Sequence, residues 1–251
     1  MAKQTRRPPT AARAGKSNEK ADAPRTFRQW ALEWIKSLGG AFILFIIIRT
    51  FLLQTYVITS GSMENTLLVG DLLTLSRAAY GANVPFTDWR LPGYASPRRN
   101  DVVVFWGPHQ PDLELIKRMV GTPGDTLAMR DAVLYVNGAA QDEPYVIPSD
   151  TLADLTHPWM EWQRSYLAPS VDASTYAPTL HNWGPIVVPA NKYFMLGDNR
   201  DNSLDSRYWG FVDWSKIKGR ASIIYYSYDS NGPAPLPVLN ARLRRIGDRI
   251  R

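Results

Sequence analysis

Apolar residues follow two different patterns along this chain of 251 residues. Near the N-terminus, Leu38–Ile48 form one apolar block, with two tryptophans before it and an arginine after it. About 20 residues are needed to cross a bilayer. The block alone is too short, so a span must also take in either Ala31–Ser37 or Thr50–Ile58. The pattern therefore predicts a transmembrane anchor over residues 30–58.

After residue 58 the apolar residues occur in short runs, rich in Val, Ile, Leu and aromatic residues and separated by Gly, Pro and Asn. Such runs are typical of strands, and Asn137-Gly138 is a strong turn signal. The predicted strands are Leu67–Ser76, Asp101–Trp106, Glu114–Val120, Thr126–Met129, Ala132–Val136, Lys192–Leu196 and Arg220–Tyr228. We therefore expect a mainly β fold, an antiparallel β-barrel-like or folded sheet, preceded by one N-terminal transmembrane helix.

The strand pattern is interrupted twice. Ala79–Asn100, rich in Pro, Gly and Arg, indicates a loop, and residues 141–185 have little periodicity and indicate an inserted subdomain. The β domain then has a first part over residues 59–140 and a second part over residues 186–230. Because the chain contains no cysteine, the stability of this domain must come from a packed core, for which its length is sufficient.

Residues 231–251 combine a proline-containing linker with a basic tail. Leu239, Leu243, Ile246 and Ile250 are spaced by four, three and four residues, which predicts an amphipathic helix with arginines on its other side. Two locations are open for this helix. It can lie on anionic lipid, or it can dock on the protein's own body.

Positive charge is concentrated before the apolar block. The residues before Leu38 include nine Lys and Arg and three acids. Their excess of positive charge equals the formal net charge of the whole chain, +6. Basic residues stay on the cytoplasmic side of a membrane, so residues 1–29 are predicted to be a cytoplasmic tail and the chain after Ser60 to lie outside, in the periplasm. No clear A-x-A site follows the block, so the anchor is expected to remain uncleaved. This topology requires no nucleic-acid partner.

Two serines, Ser60 and Ser62, directly follow the predicted anchor in the sequence T-S-G-S-M. In an extended turn both hydroxyls could face one site, but a nucleophilic serine needs a base. The three histidines lie in loop-like sequence, and none is placed for that role. Lys117 is the alternative, because the strand period of two puts it on one face with Leu115. Burial of that face would lower the pKa of the lysine, as a lysine base requires.

Four short motifs contain these residues or follow them along the chain. They are S-G-S-M at Ser60–Met63, G-D at Gly70–Asp71, K-R-M-V-G-T-P-G-D at Lys117–Asp125, and a long run beginning G-D-N-R at Gly197–Val212. In these motifs and their order, the chain resembles the bacterial type I signal peptidases, or leader peptidases. These are membrane-anchored Ser-Lys proteases that remove signal peptides from exported preproteins. The resemblance covers the helix and most of the chain to about residue 228.

The resemblance implies roles for the site residues. Ser62 is expected to be the nucleophile and Lys117 the general base, while Ser60 supplies an oxyanion donor beside the Ser62 backbone N–H. Ser203 matches the family serine that hydrogen-bonds to the lysine and orients it. Supporting ion pairs around the site are expected from Arg118, Asp198, Arg200, Asp205 and Arg207.

The resemblance also implies the substrate: signal peptides of exported preproteins, bound as an extended strand and cut after small residues in an A-x-A-like sequence. Ile58, Met63 and Leu115 are expected, by proximity alone, to line the substrate pocket. Membrane lipid would be the second partner. The chain departs from the family at Asn65, where proline is common. A proline would stiffen this turn, so the departure bears on its rigidity and removes no reacting group.

Other functions fit the motifs less well. An EF-hand loop starting at Asp198 would need Gly and Glu where Ser203 and Trp209 stand. The G-T-P-G-D turn lacks the ending of a phosphate loop. We therefore expect no metal, no nucleotide and no cofactor. Self-cleaving Ser-Lys repressors share the dyad, but here a DNA-binding domain is missing and an anchor is predicted. A non-enzymatic β domain that binds partners at the membrane remains the alternative, which a cleavage assay decides.

Overall fold

The computed structural model describes residues 27–48, 53–81, 87, 89–148, 154, 156–234 and 237–251. The predicted basic tail, residues 1–29, lies almost entirely outside these ranges. The chain divides into two compact units, residues 1–44 and residues 45–251. The described residues of the first unit belong to helix α1 (Phe27–Ile47). In the described part of the chain, no helix combines the length and the apolar character that crossing a bilayer requires.

Strand β1 (Leu53–Val57) contains residues that the sequence analysis assigned to the end of the anchor. Its residues pair antiparallel with strand β2 (Asp71–Ser76). The next residue, Ile58, is buried, and its backbone N–H donates to the Asp71 carbonyl at 2.9 Å. The prediction that the span could extend to Ile58 is therefore wrong, because a paired strand cannot also continue a membrane helix.

The second unit contains two antiparallel sheets, as the alternation of short apolar runs predicted. The remaining strands are β3 (Val102–Trp106), β4 (Glu114–Gly121), β5 (Thr126–Arg130), β6 (Val133–Val136), β7 (Ala139–Ala140), β8 (Trp183–Val187), β9 (Lys192–Leu196), β10 (Val212–Asp213) and β11 (Ile217–Ser227), and a short helix, α2, spans Ser206–Trp209. One sheet has the order β1-β2-β11-β3-β4-β9-β10, and the other has the order β7-β6-β5-β8. All seven predicted strands are present, β9 with the predicted bounds and the other six with one or both ends shifted, whereas β1, β7, β8 and β10 were not predicted.

The larger sheet packs its apolar side chains against the segment between β1 and β2. Met63 and Leu67 of that segment are fully buried with Leu73 of β2 and Ile224 of β11. We call this segment, Ser60–Gly70, the serine turn. Burying such side chains contributes roughly 1.5–3 kcal/mol each, so the turn is held in place by the core beneath it.

The segment 141–185, predicted as an inserted subdomain, shares a core with both sheets. Met160 and Trp183 pack in one cluster with Val120 of β4 and Phe194 of β9. The segment supplies β8, which pairs with β5, and the 3₁₀ stretch Pro158–Tyr166.

The C-terminal tail, Pro237–Arg251, is not the predicted α-helix. It forms two short 3₁₀ turns and then runs beside β11, where the Gly247 N–H donates to the Ile224 carbonyl at 2.8 Å and the Ile250 N–H donates to the Ser222 carbonyl at 3.0 Å. The helix prediction is wrong because these backbone groups bond to β11 instead of to one another. Of the two locations considered for the tail, the structure has it docked on the protein's own body.

Candidate active site

The serine turn brings Ser62 to the surface of the core without fully exposing it. Ser62 lies in a 3₁₀ turn, Gly61–Met63, and is 8% exposed. Its neighbour Met63 is fully buried, which fixes the turn from below. Ser60, just before the turn, has extended backbone and an exposed side chain.

Lys117 of β4 lies against Ser62. Its Nζ is 2.6 Å from Ser62 Oγ and 3.1 Å from the Ile116 carbonyl oxygen, and the residue is 4% exposed. Burial lowers the pKa of Lys117 from 10.5 to about 8, against the nearby carboxylates of Asp205 and Asp198, which raise it. With that pKa, roughly one Lys117 in ten is neutral at pH 7, compared with roughly one in a few thousand for an ordinary lysine. The pair therefore has both the contact and the proton affinity that base catalysis needs.

The first half of β4 has one edge free for another strand. Strand β9 pairs with β4 only from Arg118 to Gly121, whereas β3 pairs with Glu114 to Arg118 on the other side. Among the described residues, no strand pairs with Glu114–Lys117 on the side away from β3. An extended peptide can add to such an edge by backbone hydrogen bonds, and this edge ends at Lys117.

Arg118 and Asp198 form a buried ion pair next to Lys117. The Arg118 Nε and Nη2 donate to the two Asp198 oxygens at 2.8 and 2.6 Å. Thr66 of the serine turn donates its hydroxyl to the same carboxylate at 2.5 Å. A buried pair is favourable only when its remaining groups are also bonded, and here those bonds tie β4, the loop after β9 and the serine turn together.

A second buried pair, Arg207 with Asp205, lies at the N-terminus of α2. Arg207 Nε and Nη2 each donate to Asp205 at 2.9 Å, and the Gly197 N–H donates to Asp205 at 3.1 Å. Burial lowers the pKa of Arg207, but the Asp205 carboxylate outweighs burial and the net shift is upward. Arg200 donates to the Gly197 carbonyl at 3.1 Å and to Glu143 at 2.6 Å. All five charged residues that were predicted to support the site are therefore buried and hydrogen-bonded around Ser62 and Lys117.

Ser203 is close to the site but does not make the expected bond to Lys117. Its hydroxyl is buried and has no hydrogen-bond partner among the described residues. A Cβ built on Gly197 would overlap the Ser203 hydroxyl and would lie 2.5 Å from the Ser62 carbonyl oxygen. Gly197 thus lies between Ser203 and the backbone of Ser62, where there is no room for a side chain.

The predicted pocket residues lie in two different surroundings. Ile58 and Met63 are buried in the core cluster that contains Leu67 and Leu73. Leu115 does line a cavity of about 740 Å³. Its other apolar walls include Leu113, Trp159, Trp162, Tyr166, Leu204, Trp209 and Phe211. Two of the lining residues are close in sequence to site residues: Leu115 precedes Lys117 by two residues, and Leu204 follows Ser203.

Sequence reasoning missed Glu143 and Tyr145. The Tyr145 ring lies 3.7 Å from the Arg118 guanidinium, and its hydroxyl donates to Glu143 at 2.9 Å. Burial and Glu143 raise the pKa of Tyr145, so it stays a neutral donor. Both residues lie in the aperiodic segment 141–185, where no spacing signal marks them. In the described part of the chain, no group of three or more His, Asp or Glu residues could hold a metal ion.

Comparison with known proteins identifies the family of this chain. The family model for signal peptidase, peptidase S26, matches residues 31–226. Signal peptidase I of Pseudomonas aeruginosa is 34% identical over 223 residues, which cover 82% of this chain and 76% of that protein. Signal peptidase I of Bacillus licheniformis is 29% identical over 198 residues, with 78% and 89% covered. A crystal structure of a signal peptidase I from Enterococcus faecalis has 30% identity and a TM-score of 0.32, and the match covers 50% of this chain and 96% of that one.

The chain belongs to the signal peptidase family, peptidase S26. Its activity is that of a serine endopeptidase of the signal peptidase I type, which removes signal peptides from exported preproteins.

Proposed function

We propose that Ser62 is the nucleophile and Lys117 the general base of this reaction. The observation that carries the proposal is the 2.6 Å contact between Lys117 Nζ and Ser62 Oγ in a buried setting. Ser62 Oγ bonds to the scissile carbonyl carbon while neutral Lys117 takes the hydroxyl proton. The C–N bond then breaks, and the Lys117 ammonium gives its proton to the departing amine. Water attacks the resulting ester and loses a proton to Lys117; the bond between the carbonyl carbon and Ser62 Oγ then breaks, and the Lys117 ammonium returns its proton to Ser62 Oγ.

The negative oxygen that forms during attack needs donors. The Ser62 backbone N–H and the Ser60 hydroxyl are the proposed donors, because Ser60 precedes the nucleophile by two residues and its side chain is exposed beside the turn. Such a donor typically contributes about 3 kcal/mol to the transition state. Ser60→Ala therefore slows the reaction, and the Ser62 N–H preserves part of it. Ser203 is proposed to orient Lys117 once substrate is bound.

The free edge of β4 supports the proposal that the substrate binds as an extended strand. A signal peptide added beside Glu114–Lys117 would bring its scissile bond to the end of the edge, at Lys117 and Ser62. Small residues precede the bond in this proposal because alternate side chains of the extended peptide would enter shallow apolar pockets there. The apolar cavity bordered by Leu115 would take larger apolar side chains further along the peptide.

The proposal includes a membrane location. A barrel-like catalytic domain would be carried by an N-terminal transmembrane helix, with residues 1–29 in the cytoplasm and the active site outside. The basic excess before Leu38 and the apolar block Leu38–Ile48 support this orientation. Membrane lipid is then a partner of the anchor, and the site meets signal peptides where they leave the membrane. Protease protection of residues 1–29 in inverted and right-side-out vesicles distinguishes this topology from its reverse.

Cleavage of a preprotein by the purified full-length chain tests the chemistry. We expect wild-type chain to release the signal peptide, and Ser62→Ala and Lys117→Met to lose activity by at least about 10³-fold. Ser215→Ala is the matched control, since Ser215 is exposed in a separate 3₁₀ turn. Normal cleavage by folded Lys117→Met would place the base elsewhere. Failure of the folded wild-type chain to cleave would favour a binding domain.

A further inference from the structure

The C-terminal tail contacts the serine turn, although it lies beyond the residues 31–226 that the family model matches. Arg245 Nη2 donates to the Thr66 carbonyl at 2.9 Å, and Arg242 Nη2 donates to the Val69 carbonyl at 2.9 Å. Both carbonyls belong to the serine turn. The backbone that carries Ser62 is therefore held by two arginines from the end of the chain.

The same arginines balance a buried carboxylate. Asp71 is fully buried, and it accepts hydrogen bonds from the Leu68 N–H at 2.8 Å and from Ser227 Oγ at 2.6 Å. Arg245 Nε and Nη2 donate to it at 3.1 and 2.5 Å. In the described part of the chain, the ion pairs of Asp71 come only from Arg242 and Arg245. Without the tail, the carboxylate of Asp71, which directly follows the serine turn, would be a buried charge without a cation, which is strongly unfavourable.

The last residue of the tail reaches the other half of the active site. Arg118 Nη1 donates to the Arg251 carbonyl at 2.9 Å, while its Nη2 donates to Thr66 Oγ1 at 3.1 Å. Arg118 directly follows Lys117 in β4. The tail thus contacts both the turn that carries Ser62 and the residue next to Lys117.

We infer that the C-terminal tail is a positioning element of the active site, with Arg245 as its principal residue. It holds the serine turn against β4 so that Ser62 stays within hydrogen-bond distance of Lys117. The inference rests on the proposed roles of Ser62 and Lys117. In the described part of the chain, none of the tail's hydrogen bonds goes to the edge Glu114–Lys117, so their loss lowers kcat and leaves KM almost unchanged.

The test compares single variants of the full-length chain in preprotein cleavage. Misplacement of a reacting group by about 1 Å can lower a rate by about 10²-fold, so we expect Arg245→Ala to lower kcat by about 10- to 100-fold with KM within about 2-fold. Arg245→Lys keeps the charge but loses the forked donor geometry, and its kcat should be intermediate. Arg244→Ala is the matched control, because Arg244 is the exposed neighbour, and its kcat should equal that of wild type.

A double variant separates positioning from stability. In Arg245→Ala/Asp71→Asn a neutral amide replaces the Asp71 carboxylate, so the folded state regains stability. The hydrogen bond to the Thr66 carbonyl is still missing. We expect the melting temperature to recover and kcat to stay low. If kcat recovers together with the melting temperature, or if folded Arg245→Ala has wild-type kcat, the inference is overturned. When wild type is active, Ser62→Ala is inactive and Arg245→Ala is normal, only this inference fails. An inactive wild type overturns the proposed function as well.

Discussion

Arg118 donates two hydrogen bonds to Asp198, at 2.8 and 2.6 Å, and both side chains are 1% exposed. Arg118 directly follows Lys117 in the chain, and its pair with Asp198 binds the loop after β9 to β4. The pair therefore stabilises the position of β4, the strand that carries Lys117. Removal of one partner would leave the other as an unpaired buried charge, which is the costliest kind of change in such a site.

We expect Asp198→Ala to lower the free energy of unfolding by about 3–5 kcal/mol. The matched control is Asp213→Ala, whose partner Lys192 forms a partly exposed pair at 2.9 Å and whose loss should cost less than about 1 kcal/mol. Urea denaturation of both variants measures the difference. If both variants lower the free energy of unfolding by the same small amount, the buried pair does not hold the site together.

The lowered pKa of Lys117 sets the pH dependence of the reaction. Because only neutral Lys117 accepts a proton, kcat/KM should rise about tenfold per pH unit below pH 8 and level off above it, with a midpoint near the pKa of about 8. Initial rates between pH 5 and pH 11, with a stability check at each pH, provide the measurement. A profile that keeps rising to about pH 10.5 would mean an ordinary lysine.

The same shift predicts a pH-dependent stability. Folding lowers the pKa of Lys117 from 10.5 to about 8, so between these values the unfolded chain binds a proton that the folded chain does not. Wild-type stability, measured relative to Lys117→Met, should therefore be constant below pH 8 and rise by about 3 kcal/mol as the pH increases to 10.5. Parallel urea titrations of the two proteins at pH 7 and pH 10.5 test this. A difference that does not change with pH would contradict it.

Gly197 separates Ser203 from the Ser62 backbone, and this leads to a steric prediction. In Gly197→Ala the new methyl group would overlap Ser203 Oγ and lie 2.5 Å from the Ser62 carbonyl, so the serine turn must shift and kcat/KM should fall by about 100-fold. Gly197→Ala/Ser203→Gly relieves only the first contact, so its activity should stay low. The control is Gly39→Ala, where a Cβ meets no atom within 4 Å. Full activity of the double variant would mean that the Ser62 contact is unimportant.

The sequence predicts the strands well because their apolar residues occur in short, separated runs. β1 was missed because L-Q-T-Y-V follows closely after the apolar block and contains no turn residue to mark its start. β8 was missed because W-G-P-I-V contains both Gly and Pro, which normally argue against a strand. The tail was misjudged because its apolar residues have helical spacing, while its partner is β11.

Within the candidate site, the sequence indicates which residues can react, and the structure adds what holds them. The motifs predict that Ser62 and Lys117 lie together, and their reacting atoms are 2.6 Å apart. Local spacing cannot show that Glu143 binds Arg200 or that Arg245 binds Asp71, because these partners are 57 and 174 residues apart. Such contacts depend on the complete fold.

The protonation of Lys117 can be observed directly by NMR of the full-length chain labelled with ¹⁵N-lysine. The Lys117 signal is identified by its absence in Lys117→Met, and its shift is followed from pH 6 to pH 12. An amine buried against Ser62 should titrate with a pKa of about 8. A pKa at the ordinary value of 10.5 would contradict the claim that the fold keeps this lysine ready to accept the serine proton.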